Sequence, residues 1–318
     1  MNEDAIDPDL DPELLPLLAG FPDIPLDAGT LPGFRAAIAG MSALPDPASH
    51  PDVTIEAVHV PGPAGAPPVR CLLYRPARPT LAALLHIHGG GFVMGLPEMD
   101  AARNLMLATE LRCTILSVDY RLAPEHPHPA ALEDCHAALA WLARSLPAAR
   151  VGVIGESAGA GLAHWLSTLA RDRGSVALAC TALIYPMVVR PGAEVAATAQ
   201  DARIGRYVWP SASNAFGWAS LLGSGPLAGV SGDLSRLPPA LVAAAELDLF
   251  AHDNLDLASC LMRAGNRVET HCYSGAFHGF DRMADAAVVT RFTRDLLDFL
   301  RRHLAPLRPG QFGPGQFG

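Results

Sequence analysis

Three stretches of the 318-residue chain carry side chains that could attack a carbonyl or move a proton: VGVIGESAGAG at 151–161, HIHGGGF at 86–92 and SGAFHGF at 274–280. In the first, a lone serine, Ser157, stands between Gly155 and Gly159, where an apolar strand-like run gives way to a helix-like one. On so sharp a turn the serine is strained and exposed, and small neighbours keep the backbone from colliding. Such a serine can act as a nucleophile. The following helix offers free N–H groups and its positive dipole end to any negative charge forming beside Ser157. In HIHGGGF, three consecutive glycines can turn N–H groups into a cavity, as the oxyanion of acyl transfer requires. A phosphate-binding glycine loop, the competing interpretation, would need G-x-G-x-x-G or G-K-[ST] spacing or an acidic ribose partner, and none accompanies it.

A serine nucleophile needs a base to take its proton and an acid to orient that base. Downstream of Ser157, the apolar run PALVAAAE (239–246) leads into Glu246, Asp248 and Asp253, and VETHCY (268–273) leads into His278. His278 sits in a glycine-flanked loop, where a mobile imidazole belongs. His271, inside the strand, reads as a packed or hydrogen-bonded residue. His126 and His128 have no third ligand at sensible spacing, so no metal is expected. Glu246 and Asp248 fall on the same side of the strand by alternation, with Asp248 further into the loop. Asp253 begins the next helix, where a carboxylate is expected to serve as a cap.

These residues need elements to hold them. VTIEAVHV (53–60) and VRCLLYRP (69–76), separated by the turn-rich PGPAGAPP, read as an antiparallel pair of strands. Thereafter LAALLHI leads to a helix near 98–111, CTILSVDY to one near 130–145 and VGVIG to one near 158–172. LACTALIYP ends in a break, PALVAAAE leads to a helix near 253–264, and VETHCY to one near 285–303. Apolar runs buried on both faces, each followed by a helical crossover, indicate an α/β fold with a mostly parallel, doubly wound sheet. The proline-rich first 50 or so residues and the segment from about 190 to 235 fit neither rhythm. They are expected to fold together over the C-terminal ends of the strands, where such sheets bind ligands.

Composition narrows the chemistry. A net charge of −9 and a pI near 5.7 argue against nucleic acid and anionic lipid as partners. All 23 basic residues are arginine, which removes Schiff-base, Walker-lysine and Ser-x-x-Lys mechanisms. The six cysteines show no C-x-x-C spacing and are expected to be buried free thiols. No apolar run approaches a membrane span, and the N-terminal MNEDAIDPDLDPELL is acidic where a signal peptide would be basic, so a cytoplasmic protein is expected.

HGGGF, DYRLAPEHPHPAALED (119–134), GESAGAG, LPPALVAAAELDLF (237–250) and FHGFD (277–281) resemble, in order and spacing, the bacterial hormone-sensitive-lipase-like carboxylesterases. The resemblance covers about residues 50–303. It implies an α/β-hydrolase fold with a helical cap, and ester hydrolysis without a cofactor on a small-molecule ester substrate. The expected division is an N-terminal cap segment (1–50), a first core part (51–189), a cap insertion (190–235), a second core part (236–305) and a disordered repeat tail (306–318). Carried over by residue, it implies Ser157 as nucleophile, His278 as base and Asp248 as acid, with the N–H groups of Gly90, Gly91 and Ala158 forming the oxyanion hole. Glu156 stands where aspartate is commoner, and His252 where a second acidic residue is usual. Asp119, Arg121 and Glu125 are expected to be buried or half-buried by pairing, as scaffold under the glycine loop. Short- to medium-chain acyl esters are the expected substrates; an amidase, lactonase or carbamate hydrolase on the same scaffold is the alternative. A non-catalytic receptor is disfavoured by the presence of His278, and a homodimer is left open.

Overall fold

The run Ala82–Ile87 is buried at every position, as an interior strand covered on both faces must be. In the computed structural model, which describes residues 8–21, 25–147, 149–188, 203–223, 225, 227 and 232–305, this run is β3 of one sheet. The other strands are β1 (Val53–Val60), β2 (Val69–Pro76), β4 (Thr114–Val118), β5 (Arg150–Glu156), β6 (Cys180–Ile184), β7 (Ala240–Ala245) and β8 (Val268–Tyr273). Their order is β1-β2-β4-β3-β5-β6-β7-β8. β2 runs antiparallel to both its neighbours, and from β4 to β8 every pairing is parallel. The loops after β3, β5, β6, β7 and β8 therefore leave the sheet along one edge.

The helices are α1 (Leu15–Leu18), α2 (Leu31–Met41), α3 (Ala101–Leu111), α4 (Ala130–Ser145), α5 (Ala158–Arg173), α6 (Ser211–Leu222), α7 (Ala251–Arg263) and α8 (Ala287–Leu304). α3 and α8 share a buried cluster on one face of the sheet, and α4, α5 and α7 share another on the opposite face. α8 shows why: Val288, Val289, Phe292, Leu296, Phe299 and Leu300 recur at helical spacing and are buried, with charged residues on the outer side. The expected strands and crossover helices stand within a few residues of their places. The expected repeat tail, 306–318, lies outside the described residues.

The two stretches outside the strand rhythm meet each other. The Leu26 N–H donates to the Ser213 hydroxyl at 3.4 Å, joining the segment before α2 to α6. Arg35 of α2 donates to the carbonyls of Val93 at 2.7 Å and Ala123 at 2.9 Å and makes a two-pronged pair with Glu125 at 2.7 and 2.8 Å. Arg121 pairs with Asp134 at 2.8 Å and Asp119 with Arg70 at 3.1 Å, both partly covered. Glu125 departs from expectation: its side chain is 55% exposed, because its partner comes from a surface helix. Of the cysteines, Cys71, Cys113, Cys135 and Cys180 are buried free thiols, whereas Cys260 is intermediate and Cys272, on the edge strand β8, is exposed. No helix among the described residues is long and apolar enough to cross a membrane.

α5 lies unusually close to β3 and β5. A Cβ on Gly159 would stand 2.0 Å from the Ile87 carbonyl oxygen, and one on Gly155 would stand 2.4 Å from the Gly159 oxygen. Because both obstacles are backbone, neither can rotate away. Gly159→Ala should cost about 1–3 kcal/mol of stability by overpacking, read as a lowered Tm; an unchanged melting curve would contradict the close approach.

Candidate active site

Ser157 ends β5 and opens α5 with φ 53° and ψ −119°. Positive φ at a non-glycine residue costs on the order of 1–3 kcal/mol and persists only where the surroundings hold it. Here the Ser157 N–H donates to the Ile184 carbonyl at 2.9 Å, and its own carbonyl accepts from the N–H groups of Gly161 and Met187, each at 3.0 Å. Its Oγ lies 2.9 Å from Nε2 of His278, and Nδ1 of that ring lies 2.8 Å from Oδ2 of Asp248. The three residues are 5%, 6% and 0% exposed, so Ser157 is buried, not exposed as its sharp turn suggested. The structure thus brings together the serine, the histidine and one of the three candidate carboxylates.

The other two carboxylates go elsewhere. Glu246 accepts from the Ser274 hydroxyl at 2.6 Å and from the Gly275 N–H at 2.9 Å, fastening the loop that leads to His278. Asp248 Oδ1 accepts from the Phe250 N–H at 3.2 Å, a local turn that fixes the carboxylate while leaving Oδ2 to the imidazole. Asp253 is not the cap expected of it: the N-cap of α7 is Phe250, with no side-chain capping bond. The carbonyl and carboxylate of Asp248 already receive the N–H groups of Ala251 and Phe250 at that end. Asp253 is instead half-covered. Burial, with Asp256 and Asp248 adding repulsion against partial relief from His252, pushes its carboxyl up to about 6.

The glycine loop lies against the serine. A Cβ on Gly89 would come 3.4 Å from the Ser157 Cβ. Gly90 and Gly91 have φ of 116° and 60°, and the Gly90 carbonyl accepts from Val93 and Met94 at 3.1 and 3.0 Å. From below, the Tyr120 hydroxyl donates to the His88 carbonyl at 2.9 Å, and the His88 ring stacks on Tyr120 at 4.2 Å. Burial holds His88 below its ordinary range, so its ring is neutral and donates from Nδ1 to the Gly89 carbonyl at 2.8 Å. Ala158, the first residue of α5, completes the surroundings of Ser157.

Beneath the serine turn runs a buried charge network. Arg103 of α3 pairs with both Glu156 and Asp281. Asp281 accepts from the Tyr185 hydroxyl at 2.5 Å, and the Tyr185 ring packs on His278 at 4.7 Å. Burial would raise the Glu156 carboxyl, but His86 and Arg103 outweigh it and hold it well below the usual carboxylate range. His86, Asp100 and Glu156 are the cluster among the described residues with three metal-type ligand atoms close together. Arg103 pairs with Glu156, Arg282 with Asp100 Oδ1 at 3.1 Å, and His86 Nε2 with Glu156 at 3.0 Å, while the buried Asp100 Oδ2 has no hydrogen-bond partner among the described residues. Arg35, Arg103, Tyr185 and Trp209 were not legible as site residues in the sequence, because no motif or period marks them.

Residues 84–282 match the family described as having the α/β-hydrolase fold. The chain is similar to esterase LipI of Mycobacterium tuberculosis, 32% identical over 86% of this chain and 88% of that one. Carboxylesterase NlhH of the same organism is 30% identical over 87% of this chain and 90% of its own. Among solved structures, a bacterial heroin esterase superposes with a TM-score of 0.84 at 31% identity, covering 94% of this chain and 99% of that one.

The raised Asp253 carboxyl gives a stability prediction with a definite sign. A carboxyl whose folded-state pKa lies above its unfolded value binds its proton more tightly when folded, so stability falls as pH rises from about 4 to about 6. Asp253→Asn removes that ionisation. It should raise Tm at pH 7 to 8 and do little below about pH 4; a lower Tm at neutral pH would mean instead that its negative charge stabilises the start of α7.

Proposed function

The chain belongs to the α/β-hydrolase family and is a carboxylesterase of the hormone-sensitive-lipase-like group, and from that premise we propose that it hydrolyses short- to medium-chain acyl esters through an acyl-enzyme on Ser157. The observation that carries this is the continuous hydrogen-bonded line from Ser157 Oγ through His278 to Asp248, at 2.9 and 2.8 Å, on a strained turn beside a glycine loop.

In this mechanism Ser157 Oγ attacks the ester carbonyl carbon while His278 Nε2 takes its proton. Asp248 holds Nδ1–H and stabilises the imidazolium. The N–H groups of Gly90, Gly91 and Ala158 receive the oxyanion, in a place where most competing water is excluded and their dipoles act at low dielectric. Collapse of the tetrahedral intermediate breaks the bond to the alkoxide oxygen, which leaves as alcohol with the proton from Nε2. Water then attacks the acyl-enzyme, giving its proton to the same nitrogen, and the acid departs as Ser157 is restored. The described residues of the two stretches 1–50 and 190–235 serve as a cap over this edge, a role supported by the Leu26–Ser213 bond and by the hold of Arg35 on the loop that follows the glycines; residues 190–202 of the expected insertion lie outside the described residues.

An organophosphonate should label Ser157 alone and abolish turnover; an adduct mapped to another residue would end this assignment. Asp248→Asn keeps the shape of the carboxylate but presents an amide to Nδ1, so kcat should fall by about 10⁴. Glu246→Gln should leave kcat within about tenfold, since it acts on the loop rather than on the imidazole. The reverse pattern would transfer the acid role to Glu246.

A further inference from the structure

Between β6 and β7 the chain descends onto the reacting atoms. The Gly205 N–H donates to the Leu247 carbonyl at 3.1 Å, one residue before Asp248. The Tyr207 ring packs on Phe277 at 5.7 Å, one residue before His278. Gly217 of α6 presses on the glycine loop, where a Cβ would come 2.7 Å from the Gly91 oxygen. Between these anchors lies a tight turn, in which the Trp209 N–H donates to the Tyr207 carbonyl at 2.6 Å around Val208 with φ 63°. Positive φ at a β-branched residue is rare and strained, and such strain is held where neighbours over-determine it.

The turn places Trp209. Its indole fills the space over Gly91, where an added Cβ would meet Cη2 at 2.2 Å, and its ring centroid lies 6.1 Å from that of His278. Trp209 is 5% exposed, and its buried Nε1 has no hydrogen-bond partner among the described residues. Among the described residues, packing therefore holds the ring. The same indole lines a cavity of about 560 Å³, together with Phe21, Phe34, Ile38, Met41 and Met94. Ser157 and His278 are not among the lining residues, so Trp209 is a wall shared by the cavity and the reacting atoms. Two charged residues border the cavity, and both are already paired, Glu98 with Arg70 and Arg282 with Asp100.

We propose that Trp209 sets the upper size limit of the ester by closing this apolar cavity off from Ser157 and His278, so that removing the indole admits a longer apolar group. The inference rests on ester hydrolysis at Ser157. Cavities of this size hold groups far larger than a short acyl chain, and one methylene gained or lost in an apolar pocket changes kcat/KM by about 10- to 200-fold.

The test compares wild type, Trp209→Ala and Trp209→Phe on two series: p-nitrophenyl esters from acetate to decanoate, and n-alkyl acetates from ethyl to octyl. The readout is the ratio of kcat/KM for the longest to the shortest member, which the folded fraction of a preparation does not alter. In Trp209→Ala the ratio should rise about tenfold or more in at least one series, and less in Trp209→Phe. Ala37 also lines the cavity and lies on the exposed side of α2, so Ala37→Phe in the Trp209→Ala background should reverse the gain. Ratios within about twofold of wild type in both series and both variants would overturn the proposal. An active Ser157→Ala would instead bring down the ester-hydrolysis mechanism on which it rests, whatever Trp209 does.

Discussion

A serine held at φ 53° survives only where hydrogen bonds and close packing oppose its relaxation, and that requirement reaches far into the fold. It needs the Ile184 carbonyl from β6 to receive its N–H, which fixes the break after that strand. It needs α5 to leave the turn at once and run close to β3, which admits no Cβ at Gly155 or Gly159. The close approach in turn sets the glycine loop after β3 beside the serine. With all pairings from β4 to β8 parallel, the histidine and acid loops emerge on the same edge. The hydrogen-bonded line from Ser157 to Asp248 is thus a consequence of strand direction and of one strained residue.

Charge fixes what packing leaves free. Glu156 is attached to the serine turn and Asp281 to the histidine loop, and the guanidinium of Arg103 holds both. A buried carboxylate is tolerable only when paired, and removing one partner leaves the other uncompensated. The arginine therefore resists any separation of the two loops. Tyr185, kept as a phenol by burial, adds a second tie, donating to Asp281 while its ring supports His278. On the other side, Glu246 fastens the start of the histidine loop, so that the imidazole is held from its front and rear.

Much of this was legible because it is local. Continuous apolar runs such as Ala82–Ile87 can be satisfied only by burial on both faces, and a serine between small residues, placed between a strand and a helix, reads as a tight turn suited to a nucleophile. His278 stood out by its glycine-flanked loop. What the sequence hid is made by contacts across long separations. Arg35 reaches Glu125 and Arg103 reaches Asp281, and neither arginine differs in its local setting from any surface arginine. Asp253 misled for a related reason: its place near a helix start suggested a cap, but Asp248, bound to its own turn, already receives the N–H groups there. Glu125 was expected to be covered, and it is exposed because its partner arrives from the solvent side on α2.

If the strained Ser157 carries the acyl group between two half-reactions, as proposed, the acyl-enzyme must accumulate or be trapped. Rapid mixing with p-nitrophenyl acetate, followed by acid quench and peptide mass mapping, measures this directly. A burst of nitrophenol approaching the enzyme concentration is expected, with an acetyl group on the peptide containing Ser157 and neither from the Ser157→Ala protein. Steady release without a burst, together with no acetyl-peptide at saturating ester, or an acetyl group on any other residue, would contradict it.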